Sequence, residues 1–291
     1  MKLQDLVNRV NTKPDEKKNG ALNTYIQNNT QNKGRLDNPV STLINMLKTP
    51  QKSEITDEEF YNYVYKELDG LEYTIEDIDK VANSPILYGG VNYKELGLAL
   101  SALINKVAKK GDKIQLNMSR PVDHLFYLAD GIEAHVNVAG SYLGYNAKNS
   151  KIYAGDAWGN AGYCMNNCEL HANAAGNYLG DSAKNSKIYA GNAGDYAGLS
   201  MDNCELHVNI AGDYLGANAN NSKIYANETG YNTGMNMKNS KLYLKLYIKD
   251  LIGEFGGSYF KGRNEIYLGK ESYKLHPINY RLRRVKIWET P

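Results

Sequence analysis

The chain has 291 residues, and 34 basic side chains against 32 acidic ones make no case for a nucleic-acid or membrane partner. That length holds two domains or one elongated one, no stretch approaches the ~20 apolar residues of a membrane span, and no signal peptide is read after Met1. Three cysteines, an odd number, argue against a disulfide framework and for the reduced thiols of a cytoplasmic protein.

Residues 1 to about 35 read as a polar arm, with a short helix over Leu3 to Val10. Val40 to Leu47 is a second helical candidate. Thr56 and Glu59 form a capping box ahead of Phe60, Val64 and Leu68, and Gly70 ends that helix. Thr74 with Asp77 opens the next. Tyr93 to Lys109 follows, with Leu96, Leu98, Leu100, Leu103 and Val107 apolar and Gly111 closing it. Residues 1–112 are therefore an arm and a small α-helical region without a nucleotide or metal motif. Lys113 to Asn117 alternates like a strand, and Pro121 to Asp130 reads as a short apolar helix. Residues 113–130 are expected to cap the array that begins after them.

That array is a repeat. Ser150, Cys168, Ser186, Cys204, Ser222 and Ser240 stand eighteen positions apart, and the residues between them recur. Numbered from that serine or cysteine, positions three and five are apolar while two and four are polar or amphipathic, which makes one half-buried strand per unit. Eighteen residues suffice to leave a strand, travel round and pair with it again about 4.8 Å higher. Side chains then stack in ladders. Position two alternates in sign through Glu133, Lys151, Glu169, Lys187, Glu205 and Lys223, and position four runs His135, Tyr153, His171, Tyr189, His207, Tyr225 and Tyr243. Position sixteen alternates small and large, Ala147 then Met165, and position eighteen is asparagine from Asn149 to Asn239. The expectation is a mainly β protein, a single-stranded parallel β-helix with 18-residue coils over residues 113–250, preceded by the helical region. Right-handed winding is the default for parallel crossovers. Residues 251–291 leave the phase and read as a C-terminal β cap. Its Arg281, Arg283, Arg284 and Lys286 are either a site for an acidic partner or a solvated strand face.

Gly191, Gly194 and Gly198 spell Gly-x-x-Gly-x-x-x-Gly, with variants at Asn137 to Gly144, Asn173 to Gly180 and Asn209 to Gly216. In this the chain resembles the GXGXG family, which includes the C-terminal β-helix of the glutamate synthase large subunit and one of the subunits of formylmethanofuran dehydrogenase. The repeat glycines that carry the resemblance are Gly140, Gly144, Gly162, Gly176, Gly180, Gly194, Gly198, Gly212 and Gly216. Trp158 departs from the pattern at the middle glycine, and Asn227 to Gly234 is degenerate. The resemblance implies a right-handed β-helix used as a scaffold between catalytic parts. No nucleophilic cysteine follows Met1, and no FMN barrel or cluster-binding cysteine run is present, so the likeness is to the accessory module alone.

Layer spacing limits the chemistry open to each ladder. His135, His171 and His207 are two layers apart, about 9.6 Å, too far to share a metal. Cys168 and Cys204 are likewise beyond the ~7 Å Cα limit for a disulfide, and read as small apolar packing residues. Cys164 and Cys168 span one corner, which leaves a redox or metal role open. Asp195 and Asp213 hold position ten in adjacent layers, ~5 Å apart, a separation that retaining glycosidases use. Asn177 and Ser141 hold the same place, as residues suited to a bend between glycines. Tyr142, Tyr178, Tyr196 and Tyr214 at position eleven offer a row for a saccharide. Function is therefore expected to be that of a non-catalytic scaffold or protein-interaction module, with no cofactor and no metal, working through a protein partner. The alternative is a β-helix that binds or processes carbohydrate through Tyr178, Tyr196, Tyr214, Asp195 and Asp213.

Overall fold

A computed structural model describes residues 55–84, 92–245, 265–268, 271–275 and 282–285. The arm and the helices expected over Leu3–Val10 and Val40–Leu47 lie outside these residues, as do Arg281 and Lys286 of the basic cluster.

Helix α1 spans Asp57–Glu67 and opens on the capping box: Thr56 Oγ1 accepts the Glu59 N–H at 3.2 Å, and Glu59 Oε2 accepts the Thr56 N–H at 2.7 Å. Thr74 and Asp77 repeat the device at α2, Ile75–Ala82. Helix α3, Tyr93–Val107, is buried at every residue from Leu96 to Ile104. A helix covered all round needs neighbours on every side. Helices α1 and α2 supply some of that cover, and the end of the β-array supplies the rest. Gly97 lets α3 come close, since a Cβ there would stand 1.6 Å from the Asp123 carbonyl oxygen. Ser101 Oγ then accepts the Tyr127 N–H at 3.1 Å, and Asn105 Nδ2 donates to the Tyr127 carbonyl at 2.8 Å and the Tyr61 hydroxyl at 2.9 Å.

The strands are β1 Lys113–Leu116, β2 Glu133–Ala139, β3 Lys151–Ala157, β4 Glu169–Ala175, β5 Lys187–Ala193, β6 Glu205–Ala211, β7 Lys223–Glu228, β8 Lys241–Leu244, β9 Glu265–Leu268, β10 Glu271–Leu275 and β11 Leu282–Val285. Their order in the sheet is their order in the chain. Strands β1 to β9 pair in parallel, and β10 and β11 turn back antiparallel. The repeat therefore winds as a β-solenoid, with Lys151, Glu169, Lys187, Glu205 and Lys223 in register as neighbours. A second parallel ladder of single bridges joins Asp130, Lys148, Asn166, Lys184, Asp202, Asn220 and Lys238 at position seventeen.

The side between these ladders, positions nine to fifteen, is not a strand. Residues at positions eleven, thirteen and fifteen have positive φ, as in Tyr142 (62°), Gly144 (66°) and Asn146 (57°). Alternating hand makes successive N–H groups point in opposite axial directions. Tyr142 N–H reaches up to the Gly159 carbonyl at 2.9 Å, Gly144 N–H down to Leu125 at 2.9 Å, and Asn146 N–H up to Tyr163 at 3.0 Å. Backbone polar groups on this side are thus satisfied between layers without a β-ladder.

The helix expected over Pro121 to Asp130 is absent. These residues form the turn side of a first coil, with His124, Phe126 and Leu128 in the positive-φ places (58°, 61° and 56°) and the N–H groups of His124 and Leu128 hydrogen-bonded to the coil above. Their apolar spacing resembles a helix because positions twelve and thirteen are both buried, as Leu125 and Phe126 are. The end of the stack is covered by α3.

Inside, three buried positions change together. A coil carrying Leu179 and Ala183 is followed by Ile188, and the next carries Ala197 and Met201 followed by Leu206. The same two sets alternate from Leu143, Ala147 and Ile152 to Leu215, Ala219 and Ile224, and the last coil has Thr233 with Met237 and Leu242, so that a large side chain in one place meets a small one in the other. Serine and cysteine at position one form a buried polar row. Cys168 N–H donates to Ser186 Oγ at 3.1 Å, Ser186 N–H to Cys204 Sγ at 3.4 Å and Cys204 N–H to Ser222 Oγ at 3.1 Å. Each Oγ or Sγ in turn donates to the position-seventeen carbonyl before it, as Ser186 Oγ does to Lys184 at 2.6 Å and Cys204 Sγ to Asp202 at 3.3 Å. The two buried cysteines therefore do more than pack: they replace serine as hydrogen-bonding groups.

Candidate functional site

The turn side brings the sequence-predicted residues together. Tyr178, Tyr196 and Tyr214 stack with centroids 4.9 Å and 4.6 Å apart and planes within 5° of parallel. Each ring face is therefore turned toward a neighbouring ring or along the axis, and the row offers edges and hydroxyls outward. Asp195 and Asp213 lie beside it, each with one oxygen engaged by the backbone. Asp213 N–H donates to Asp195 Oδ1 at 2.9 Å, and Tyr231 N–H donates to Asp213 Oδ1 at 2.8 Å. Asn177 and Asp123 do the same for Asp195 N–H (2.9 Å) and Ser141 N–H (2.6 Å). Position ten is thus a side-chain-to-backbone ladder along the corner, interrupted at Gly159, which has no side chain.

This ladder explains the glycine before it. A Cβ on Gly140, Gly194 or Gly212 would stand 2.1–2.2 Å from the Oδ1 of Asp123, Asn177 or Asp195 one coil below. Gly176 faces backbone instead, with the Gly159 nitrogen 2.9 Å away. The other glycines of the repeat, Gly144, Gly162, Gly180, Gly198 and Gly216, take φ between +66° and +72°. The position before these glycines and the glycines themselves form the centre of a tight turn, closed in one coil by Tyr145 N–H on the Tyr142 carbonyl at 3.2 Å. All nine repeat glycines therefore have a structural cause.

On the sheet side, the position-four rings stack from His135 to Tyr243 with centroids 4.3–4.9 Å apart. His135, His171 and His207 each place Nε2 2.6–2.9 Å from the glutamate two residues earlier. That contact holds Glu133, Glu169 and Glu205 below the usual carboxylate range. Among the described residues no group of histidines, cysteines or carboxylates is placed to hold a metal, and Cys164, Cys168 and Cys204 are unpaired. Burial pushes all three thiols upward, Cys204 to about 11, away from the thiolate that redox chemistry needs.

Two features escaped the sequence. One is a cleft of about 380 Å³ where α1 and α3 meet the first coil, lined by residues that include Tyr61, Tyr65, Asn105, Lys110 and Asp130. Its residues come from distant stretches, and no local motif marks them. The other is His124, buried and stacked on Tyr142 at 4.7 Å. Its Nε2 meets Asp57 Oδ2 at 3.1 Å, and its Nδ1 has no partner among the described residues. Burial lowers its pKa, with Lys94 acting in the same direction, against the pull of Asp57 and Asp123; Tyr142 and Tyr145 complete its surroundings. A base whose folded pKa is depressed takes up a proton more readily when unfolded. Its contribution is intact above the unfolded value of about 6.5 and is lost as pH falls through the folded one. Urea melts between pH 7.5 and 5 are expected to show stability falling with pH, and His124→Gln to flatten that slope. An unchanged slope in the variant would refute the assignment to His124.

Among the described residues no helix is long and apolar enough to cross a membrane. The chain matches no protein-family model, no curated protein and no solved structure.

Proposed function

We propose that this chain is a non-catalytic scaffold or protein-interaction module. The observation that carries the reading is that groups suited to chemistry on the coils are already engaged by neighbouring groups. Asp195 and Asp213 accept backbone N–H groups, the histidines face glutamates, and the cysteines substitute for serine in a buried row. A catalytic nucleophile or base needs a free, correctly charged atom directed at a substrate, and each aspartate keeps only its Oδ2 outside these contacts. The resemblance of the glycine repeat to the GXGXG β-helix supports the same reading, since that module serves as an accessory part in glutamate synthase and formylmethanofuran dehydrogenase. Unpaired thiols fit a cytoplasmic setting.

The test uses the full chain purified from its native cells. It is expected to show no turnover against a panel of glycoside and redox substrates, and to retain a stoichiometric protein partner through two chromatographic steps. Robust turnover that survives further purification, or a chain that is always alone, would overturn the proposal.

A further inference from the structure

The turn side of the solenoid differs from the rest of its surface in a way that stacking does not explain. Residues 137–146, 155–164, 173–182, 191–200, 209–218 and 227–236, positions six to fifteen of successive coils, contain no lysine, arginine or histidine. The same residues hold Asp156, Asp181, Asp195, Asp213 and Glu228. The lysines of these coils sit elsewhere, at position two (Lys151, Lys187, Lys223) and position seventeen (Lys148, Lys184, Lys238). On the sheet side, charge alternates and neutralises itself, as in the Lys113–Glu133 pair at 2.9 Å. Asp156 and Glu228 stand at position seven, near the ends of strands β3 and β7, and Asp181, Asp195 and Asp213 on the turn side that follows; across positions six to fifteen the coils supply nothing of opposite sign.

Aromatic groups accompany this charge. Trp158 is 56% exposed and Tyr231 58%, and between their coils stands the stacked row of Tyr178, Tyr196 and Tyr214. Large exposed aromatics beside unpaired charge mark protein interfaces, where a tryptophan or tyrosine covers the aliphatic stem of a partner's cationic side chain. Asp195 and Asp213 each use only Oδ1 for the backbone ladder, which leaves Oδ2 for a guanidinium or ammonium group.

We propose that this face is a docking surface for an extended, Arg/Lys-rich segment of a partner protein. The proposal rests on the scaffold reading and gives that partner's chemistry. From the coil of Trp158 to that of Tyr231 is four steps of about 4.8 Å, roughly 19 Å, the span of about six extended residues.

The probe is a labelled nona-arginine peptide, followed by fluorescence anisotropy with the full chain at physiological salt, where only close charges still attract. The wild type is expected to bind it and to ignore nona-glutamate. Neutralising the face by Asp156→Asn, Asp195→Asn, Asp213→Asn and Glu228→Gln together is expected to weaken binding at least tenfold. Asparagine keeps the Oδ1 acceptor at position ten, as Asn177 already does, so the ladder survives. Neutralising Glu133, Glu169 and Glu205 to glutamine on the opposite side changes net charge almost as much and is expected to leave binding within twofold. Trp158→Ala is expected to weaken binding with no change of charge. No binding by the wild type, equal loss in the two neutralised variants, or full affinity in the four-site variant would each overturn the docking surface. A stoichiometric native partner would still co-purify in those cases, so the scaffold reading would stand; its own failure is the absence of any partner.

Discussion

Gly97→Ala is expected to destabilise the protein by about 3 kcal/mol or more, although alanine favours a helix over glycine by about 1 kcal/mol. The reason is the 1.6 Å separation between the added Cβ and the Asp123 carbonyl oxygen, with the Asp123 carbonyl carbon at 2.8 Å. Those are backbone atoms of the first coil and cannot rotate away as a side chain would. Helix α3 would have to retreat, loosening the Ser101 and Asn105 hydrogen bonds to the backbone of Tyr127 and opening the buried faces of Leu98, Leu100 and Phe126. Overpacking of this kind costs ~1–3 kcal/mol where the surroundings yield, and more where they do not. Urea denaturation gives the magnitude. Hydrogen exchange at Tyr127 gives the location, with its amide expected to lose protection. A midpoint equal to or above the wild type's would show that α3 does not depend on this close approach.

The second large effect concerns the alternating interior. Met201 is fully buried, and its side chain and that of Leu206 both approach Gly198. Met201→Ala alone removes a large side chain from a closed stack and is expected to cost about 2–5 kcal/mol. The neighbouring coil fills the same space with Leu179, Ala183 and Ile188. Converting Ala197, Met201 and Leu206 to leucine, alanine and isoleucine should therefore restore at least half of the loss. A triple variant no more stable than Met201→Ala would mean that the order of coil types along the axis matters more than the filling of each coil, because like side chains would then stack on like.

The stacked coils were readable because an eighteen-residue period writes the same neighbour into every unit. Once Lys151 lies under Glu169, the positions of Tyr153 under His171 and Asn149 under Asn167 follow by arithmetic. The capping boxes were equally readable, since Thr56 and Glu59 meet within a single turn. The first coil was not. It lacks the glycines, and Phe126 stands where later coils have Gly144 or Gly162. No local preference places a phenylalanine at φ 61°; hydrogen bonds to the neighbouring coil and the grip of α3 on Tyr127 and His124 hold it there. The candidate site was half readable. The sequence placed Asp195, Asp213 and the tyrosines on one edge but did not show that the carboxylates receive backbone N–H groups or that the rings cover one another.

The sequence alone determined the period, the parallel stacking and the charged, aromatic and asparagine ladders, because those depend on spacing along a chain that returns to the same place. Tertiary structure decided the tasks of the residues at each place. The glycine at position nine makes room for a side chain from the coil below, and cysteine at position one acts as a poor serine. Charge of one sign collects on the turn side and on the strand ends that lead into it, at Asp156 and Glu228. Such tasks depend on which atoms lie within a few ångströms across layers, and distance across layers appears only after the chain has folded.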